Sequence, residues 1–490
     1  MTFAKIPFVA ALSCCMMPAA AREPQPERTD WFVKHGYGVF VHYLNKIQNN
    51  PEHVASLGKA TSWDECVREF NVELFADRMK ETGAGYVIFT VQQQQPFMIA
   101  PNETFNRLTG YRPGEACSSR DLIEDLYQAL HKRGIDFMLY FTGDAAPDPR
   151  VRDGLGLRFP VTEAYVRKWA DVAAEYGNRY KGKVKGYWVD GVYDFIGYNE
   201  DLLKIFAEGL RAGYPERILA FNPGVKMAAY SAHEDYMAGE QNTFSEIPPT
   251  GRFFHGEQWH ILSFLGTSEG NIGAGWGQPG VCKTKEDLAY YVYEVNALGG
   301  VVSIDTMLYR DGDIDRSQME ILKPLRGRVA ALQSRRHAWK EGKAVPARNI
   351  AWEKPARLKS NDGTRELPPS AGAAHRAACG TDGRRDTAAV GAFHWAWTYE
   401  VNLLEPLTVR RVVVHFGDGY ATDSEVFGAM LGGQEVSLGR FGDTGGKRID
   451  VSFEPQVFQL IKVRSYKPDG PGQPGKQMAI AEVEVYDGQE

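Results

Sequence analysis

The sequence predicts an α/β fold, a (β/α)8 TIM-like barrel, followed by a β-sandwich. Three observations carry that expectation. Between Trp31 and Leu332, eight short apolar runs alternate with segments of helical periodicity, the order of elements that closes a parallel barrel. From Asn349 onward the pattern changes to short strands parted by Gly, Asp and Pro, with no helix-period segment. The length, 490 residues, suits a leader, a barrel and a sandwich rather than one unit.

Taken in order, Met1 to Ala21 holds one early cation (Lys5), an apolar stretch from Ile6 to Met17 and the small residues Ala19-Ala20-Ala21. That is the grammar of a secretory signal, so 1–21 reads as signal peptide, 22–340 as barrel and 349–490 as sandwich, in a secreted or periplasmic protein. Lipid attachment at Cys14 or Cys15 is the weaker alternative. The eight expected strands are Tyr37–Tyr43, Gly85–Val91, Asp136–Phe141, Lys185–Asp190, Arg217–Asn222, Asp235–Glu240, Gln258–Phe264 and Val301–Thr306, with the sixth and seventh the least marked. Of the helices between them, one is capped by Ser119 and carries Leu122, Leu126 and Leu130 on one face until Gly134. A second shows Val166, Trp169, Val172 and Tyr176 and stops at Gly177. A third opens at Thr284 with Asp287 in capping-box style and ends at Gly299-Gly300. In the sandwich the strands are Thr398–Leu403, Arg410–Phe416, Phe458–Ser465 and Ala479–Tyr486.

The charge balance of 56 basic and 62 acidic residues excludes nucleic-acid binding by bulk positive charge. No apolar run beyond the N-terminus reaches the ~18 residues of a membrane span. Cys66, Cys117, Cys282 and Cys379 are widely spaced without nearby His, so no zinc site is indicated; Cys66 with Cys117 could form a disulfide, or all four could be buried thiols. Aromatics at 12% fit either sugar-stacking surfaces or a large core.

Barrel active sites gather at the C-terminal ends of the strands, which here deliver His42, Thr90, Asp144, Asp190, Asn222, Glu240 and Asp305. The set is rich in carboxylates and has neither a Cys/His metal cluster nor a phosphate-cradling glycine loop, which points to a glycosidase working on a glycan without cofactor or catalytic metal. Asp190 closes Tyr187-Trp188-Val189-Asp190-Gly191, as a catalytic carboxylate or an Asx cap. Glu240 and Glu257 are the partners to weigh, with Glu246 and Glu269 in loops. His42 could hydrogen-bond a sugar or sit satisfied in the core. Gln93 and Gln94, in the run that follows strand two, offer donors and acceptors for hydroxyls.

These residues resemble the α-L-fucosidases of glycoside hydrolase family 29. The likeness rests on Trp31-Phe32 with Gly38 to Tyr43, on Phe70-Asn71, Gly83-Ala84-Gly85, Arg120-Asp121-Leu122 and Lys132-Arg133-Gly134, and on Tyr187-Trp188-Val189-Asp190-Gly191. It implies a retaining exo-glycosidase with Asp190 as nucleophile. Glu257-Gln258-Trp259 followed by Gly275-Trp276-Gly277 makes Glu257 the first choice for acid/base and Glu240 the second, with Trp188, Trp259 and Trp276 around the sugar. Where the family carries His-His-Asp after strand two, this chain has Gln93-Gln94-Gln95. That leaves open a glycosidase that does not act on L-fucose, or a non-hydrolytic glycan-binding protein. The tail resembles a coagulation factor 5/8 type C (discoidin-like) domain, akin to carbohydrate-binding module family 32. Asn349-Ile350-Ala351, Asp382-Gly383, Trp395-Ala396-Trp397 and Met478 to Tyr486 carry that likeness. It implies a galactose-binding-like jelly roll, glycan binding through Tyr420 or His394 and a structural calcium. The oligomeric state is not legible.

Overall fold

The computed structural model describes residues 23–487 except 243, 245, 247, 249–250, 268–274, 341–348, 353, 368–376, 392–394, 446–447 and 468–477. The expected signal and the expected linker lie outside the described residues, as do Glu269 and His394. Seven parallel strands curl into the N-terminal sheet: β1 Tyr37–Val41, β2 Tyr86–Thr90, β3 Asp136–Thr142, β4 Gly186–Asp190, β5 Ile218–Phe221, β6 His260–Phe264 and β7 Val301–Thr306. They pair in the order β5-β4-β3-β2-β1-β7-β6. The expected strand at Asp235–Glu240 is not a strand, yet it fills the gap between β5 and β6. Asp235 N–H donates to Leu219 O on one side, while Tyr236 and Glu240 make isolated parallel bridges to Gln258 and Leu262 on the other. Gly239 breaks it: with φ +62° its Cα packs against β6, where an added Cβ would stand 2.0 Å from His260 O. The barrel therefore has eight staves, the sixth reduced to single bridges.

A side-chain period of two sorts each stave. Phe40, Tyr86, Ile88, Met138, Tyr140, Trp188, Ile218, Ala220, Tyr236, Ala238, Leu262 and Val301 point inward and form one buried cluster. Their alternates, including Val39, Phe89, Leu139, Phe141, Val189, Phe221, Ile261 and Ile304, pack outward against the helices. The same phase carries Asp190, Asn222 and Glu240 to the inner face at the top, because each is an even number of residues beyond an inward-facing one.

The helix over Leu122–His131 begins at Asp121, whose carboxylate accepts from Glu124 N–H, and not at Ser119, whose hydroxyl donates to Asp64. An Asp cap of this kind is worth ~1 kcal/mol. The helix over Glu163–Tyr180 runs past Gly177. That glycine serves close packing instead of termination, since a Cβ there would lie 2.7 Å from Ala212 O. Thr284 caps Lys285–Ala297 as expected, accepting from Asp287 N–H at 3.1 Å.

The C-terminal region is an antiparallel β-sandwich around its own core of Ile350, Leu358, Trp397, Tyr399, Val412, Val426, Ile461, Val463, Ile480 and Val483. Its strands are β8 Ala356–Ser360, β9 Trp397–Phe416, β10 Ser424–Ala429, β11 Glu435–Phe441, β12 Ile449–Ser465 and β13 Ala479–Tyr486. Two expected strands merge into β9, which shifts register against β12 between Asn402 and Leu407 and again between Val409 and Arg411. That strand pairs with β8 early, with β13 late and with β12 along most of its length. Cys66, Cys117 and Cys379 are buried thiols and Cys282 is an exposed one; among the described residues no disulfide forms, and the reading of four buried thiols holds for three.

Candidate active site

At the C-terminal ends of the staves lies a cavity of about 340 Å³. Its floor is the top of the inward-facing set, Phe40, Tyr140, Trp188 and Leu262, and its walls carry His42, Asp190 and Glu240. The loop after β1 adds Leu44, Lys46, Ile47 and His53, the loop after β2 adds Gln93, and the loop after β6 adds Trp276 and Gln278.

Asp190 ends β4 and its carboxylate accepts three hydrogen bonds. Tyr140 Oη donates to Oδ2 at 2.8 Å, Tyr193 Oη to Oδ1 at 2.6 Å, and Asn222 Nδ2 to Oδ1 at 3.0 Å. The same Asn222 nitrogen donates to Glu240 Oε2 at 2.5 Å. Two oxygens 3.0 Å and 2.5 Å from one nitrogen are at most 5.5 Å apart, so Asp190 and Glu240 face each other across a single amide. Burial pushes the Glu240 carboxyl up to about 7, with Asp190 adding to the rise and the bond from Asn222 opposing it. Asp144 is likewise lifted to about 7 by burial and then by Asp190, but it does not line the cavity. It packs behind Gly191, where a Cβ would meet its Oδ1 at 1.9 Å.

His42 Nδ1 lies 2.8 Å from Asp305 Oδ1, and Asp305 Oδ2 accepts from Gly277 N–H at 2.7 Å. With a carboxylate on Nδ1, that nitrogen carries the proton and Nε2 is left for the cavity. Trp188 lines the cavity while almost fully buried, stacked on Tyr140 at 5.5 Å with its indole N–H on Ala238 O. Trp276 meets His42 edge-on at 6.0 Å.

Of the residues expected from sequence, Asp190, Glu240, His42, Gln93, Trp188 and Trp276 come together around this space. Gln94 does not line it; its Oε1 accepts from Lys46 Nζ at 3.0 Å. Trp259 is buried in the outer core, against Gly300, and not beside the sugar space. Glu257 is also elsewhere. It precedes β6 by three residues, at the N-terminal end of the barrel, where its side chain hydrogen-bonds Glu234. It is 1% exposed and does not line the cavity. Sequence reasoning missed Tyr193, His53 and Gln278, which sit in loops without periodicity, and Lys46, on the one-turn helix Asn45–Gln48. Tyr140 is legible in principle, since it is in phase with Met138 on β3.

Among solved structures, similar chains include a Ruminococcus gnavus family 29 glycoside hydrolase fucosidase in complex with fucose. It is 14% identical, with a TM-score of 0.41, covering 97% of either chain. A glycoside hydrolase 29 family member from an unknown rumen bacterium is 14% identical with a TM-score of 0.42, covering 96% of this chain and 78% of that one. Chitosan-binding module 1 of a Paenibacillus chitosanase/glucanase is 22% identical with a TM-score of 0.24, covering 28% of this chain and 98% of the module. No curated protein matches the sequence. The alpha-L-fucosidase family profile matches residues 25–325, the whole barrel, and on that match the chain belongs to the alpha-L-fucosidase family of glycoside hydrolases.

Proposed function

We propose that the protein is an exported, retaining exo-glycosidase that removes a terminal α-linked L-fucose-type sugar by double displacement. Asp190 attacks the anomeric carbon while Glu240 protonates the departing glycosidic oxygen. Glu240 then takes a proton from water as that water displaces Asp190. The observation that carries this reading is the Asn222 amide shared by the two carboxyls, with its bound of 5.5 Å. Inverting enzymes need about 6.5–9.5 Å to admit a water between their carboxyls, so the bound favours retention. Glu240 suits an acid because its carboxyl, pushed up to about 7, keeps a proton near neutral pH. Tyr140 and Tyr193 aim the Asp190 oxygens, and His42, locked by Asp305, offers Nε2 to a sugar hydroxyl.

The test is the anomer first formed from an aryl α-L-fucoside, read by NMR, together with loss of turnover in Asp190→Asn. Net inversion or an unchanged rate sinks the mechanism. A second reading, a glycosidase specific for a related sugar, is favoured by Gln93 in the cavity wall; a panel of aryl glycosides decides between them. For the sandwich we propose a discoidin-like, glycan-binding role. Among the described residues no group of three or more His, Cys, Asp or Glu side chains could hold a metal ion. We propose that any structural calcium there would be held by Asp382 and the buried Glu482 beside it.

A further inference from the structure

We infer that the cavity is built for a sugar bearing an anionic oxyanion group, a sulfate ester or a carboxylate, held at the rim by the Lys46 ammonium. The inference rests on the glycosidase reading and names its substrate class. Lys46 lies on the short turn of helix Asn45–Gln48 and lines the same cavity as Asp190. Its Nζ donates to Gln94 Oε1 at 3.0 Å, which leaves further ammonium donors unused. Gln94 has φ +56°, a left-handed backbone uncommon outside glycine, so the loop after β2 adopts a costly conformation to present that amide. The lysine is thus fixed in place by a neutral group, and among the described residues no carboxylate forms an ion pair with it.

The lysine is not the counterion of Asp190. Both oxygens of that carboxylate are already served by Tyr140, Tyr193 and Asn222. Burial pulls the Lys46 ammonium's pKa down, with Asp190 acting at longer range to hold it up. A half-desolvated cation without an anion on it is unfavourable, and an oxyanion on the ligand relieves that cost. The neighbouring groups fit the same guest. His53 Nδ1 accepts from Ala55 N–H at 3.1 Å, and its Nε2 lies 3.4 Å from the Gln278 amide nitrogen. His53 and Gln278 line the cavity with Lys46, placing two neutral polar groups beside one charged one. Hydroxyls alone are served by amides; a fixed, unpaired ammonium selects for charge.

The experiment compares kcat/KM for an aryl α-L-fucoside, its O-sulfated isomers and an aryl glycoside carrying a carboxylate, in wild type, Lys46→Arg and Lys46→Met. Wild type is expected to favour one anionic substrate roughly 10- to 100-fold, the range a charge-assisted hydrogen bond supplies, mainly through KM. Lys46→Arg keeps most of that preference and Lys46→Met brings the ratio to about one. The sulfate and carboxylate arms identify which oxyanion is meant. A wild type that favours the neutral fucoside, or a ratio indifferent to Lys46→Met in a folded variant, overturns the inference. Should no glycoside be turned over, the catalytic reading fails instead. Calorimetric binding of O-sulfated and plain fucose to the same three proteins then decides the role of Lys46, with equal affinities counting against it.

Discussion

The two ends of the barrel each hold a pair of neighbouring carboxyls, and only one pair opens on the cavity. At the N-terminal end, Glu234 and Glu257 are each 1% exposed. Glu234 accepts backbone N–H bonds from Phe221 and Ser231, both at 2.9 Å, and from Tyr230, and the Glu257 side chain bonds to it. At the C-terminal end, Asp190 and Glu240 are bonded only by side chains, from Tyr140, Tyr193 and Asn222, and face a cavity. Burial pushes Glu234 and Glu240 alike up to about 7. A raised carboxyl therefore does not mark a catalytic one. What separates the ends is access, and whether the donors are a fixed backbone or hydroxyls and amides that can follow a moving charge.

The largest way to test that contrast is at the proposed nucleophile. Asp190→Asn should lose on the order of 10⁴-fold or more in kcat on any glycoside the wild type cleaves, without loss of fold by circular dichroism. Glu240→Gln should lose roughly 10²- to 10⁴-fold on a substrate with a poor leaving group and much less on an activated aryl glycoside, because only the former needs the proton. Glu257→Gln, at the other end, should keep wild-type kcat/KM on both. The pH profile sharpens the same point. With Glu240 lifted to about 7, its proton is present below that value and lost above it, so kcat/KM on the poor leaving group should fall as pH rises through about 7. Glu257→Gln should leave that limb in place and Glu240→Gln should abolish it. Asn222→Ala, which removes the shared amide, should cost roughly 10- to 100-fold in kcat, the usual worth of hydrogen bonds to charged groups.

Much of this architecture is legible in the amino-acid sequence alone. Alternating runs and helices point to the barrel, and the strand-end rule with the Tyr187 to Gly191 motif singles out Asp190. The phase of two places Glu240 and Asn222 beside it, yet Glu257 is preferred to Glu240 as acid/base because a Trp-adjacent Glu resembles the family pattern. Its position three residues before β6 is the physical clue against it, since the N-terminal ends of barrel strands face away from the site. The sixth strand misleads because one glycine, Gly239, converts an apolar run into a bulged connection. Lys46 escapes for another reason: its place depends on Gln94 reaching it from a different loop, which no periodicity encodes.

The smallest effect is also the most direct test of the sealed pair. The Glu234 carboxyl, normally near 4.5, sits at about 7 when folded. Its protonated form is therefore the one the fold prefers, so this stabilising contribution is full below about 4.5 and is lost as pH rises to about 7. Glu257→Gln puts an amide donor against Glu234 in place of a second carboxyl, and needs no shared proton to do so. Relative to wild type the variant should melt higher at pH 8, by about 2 °C or more, and show no such gain at pH 5. Asp144 and Glu240 slope the same way in both proteins, which is why the difference between the two melting curves is the quantity to read. Equal gaps at both pH values would mean that Glu234 and Glu257 do not share a proton, and that the two ends of the barrel differ by more than access.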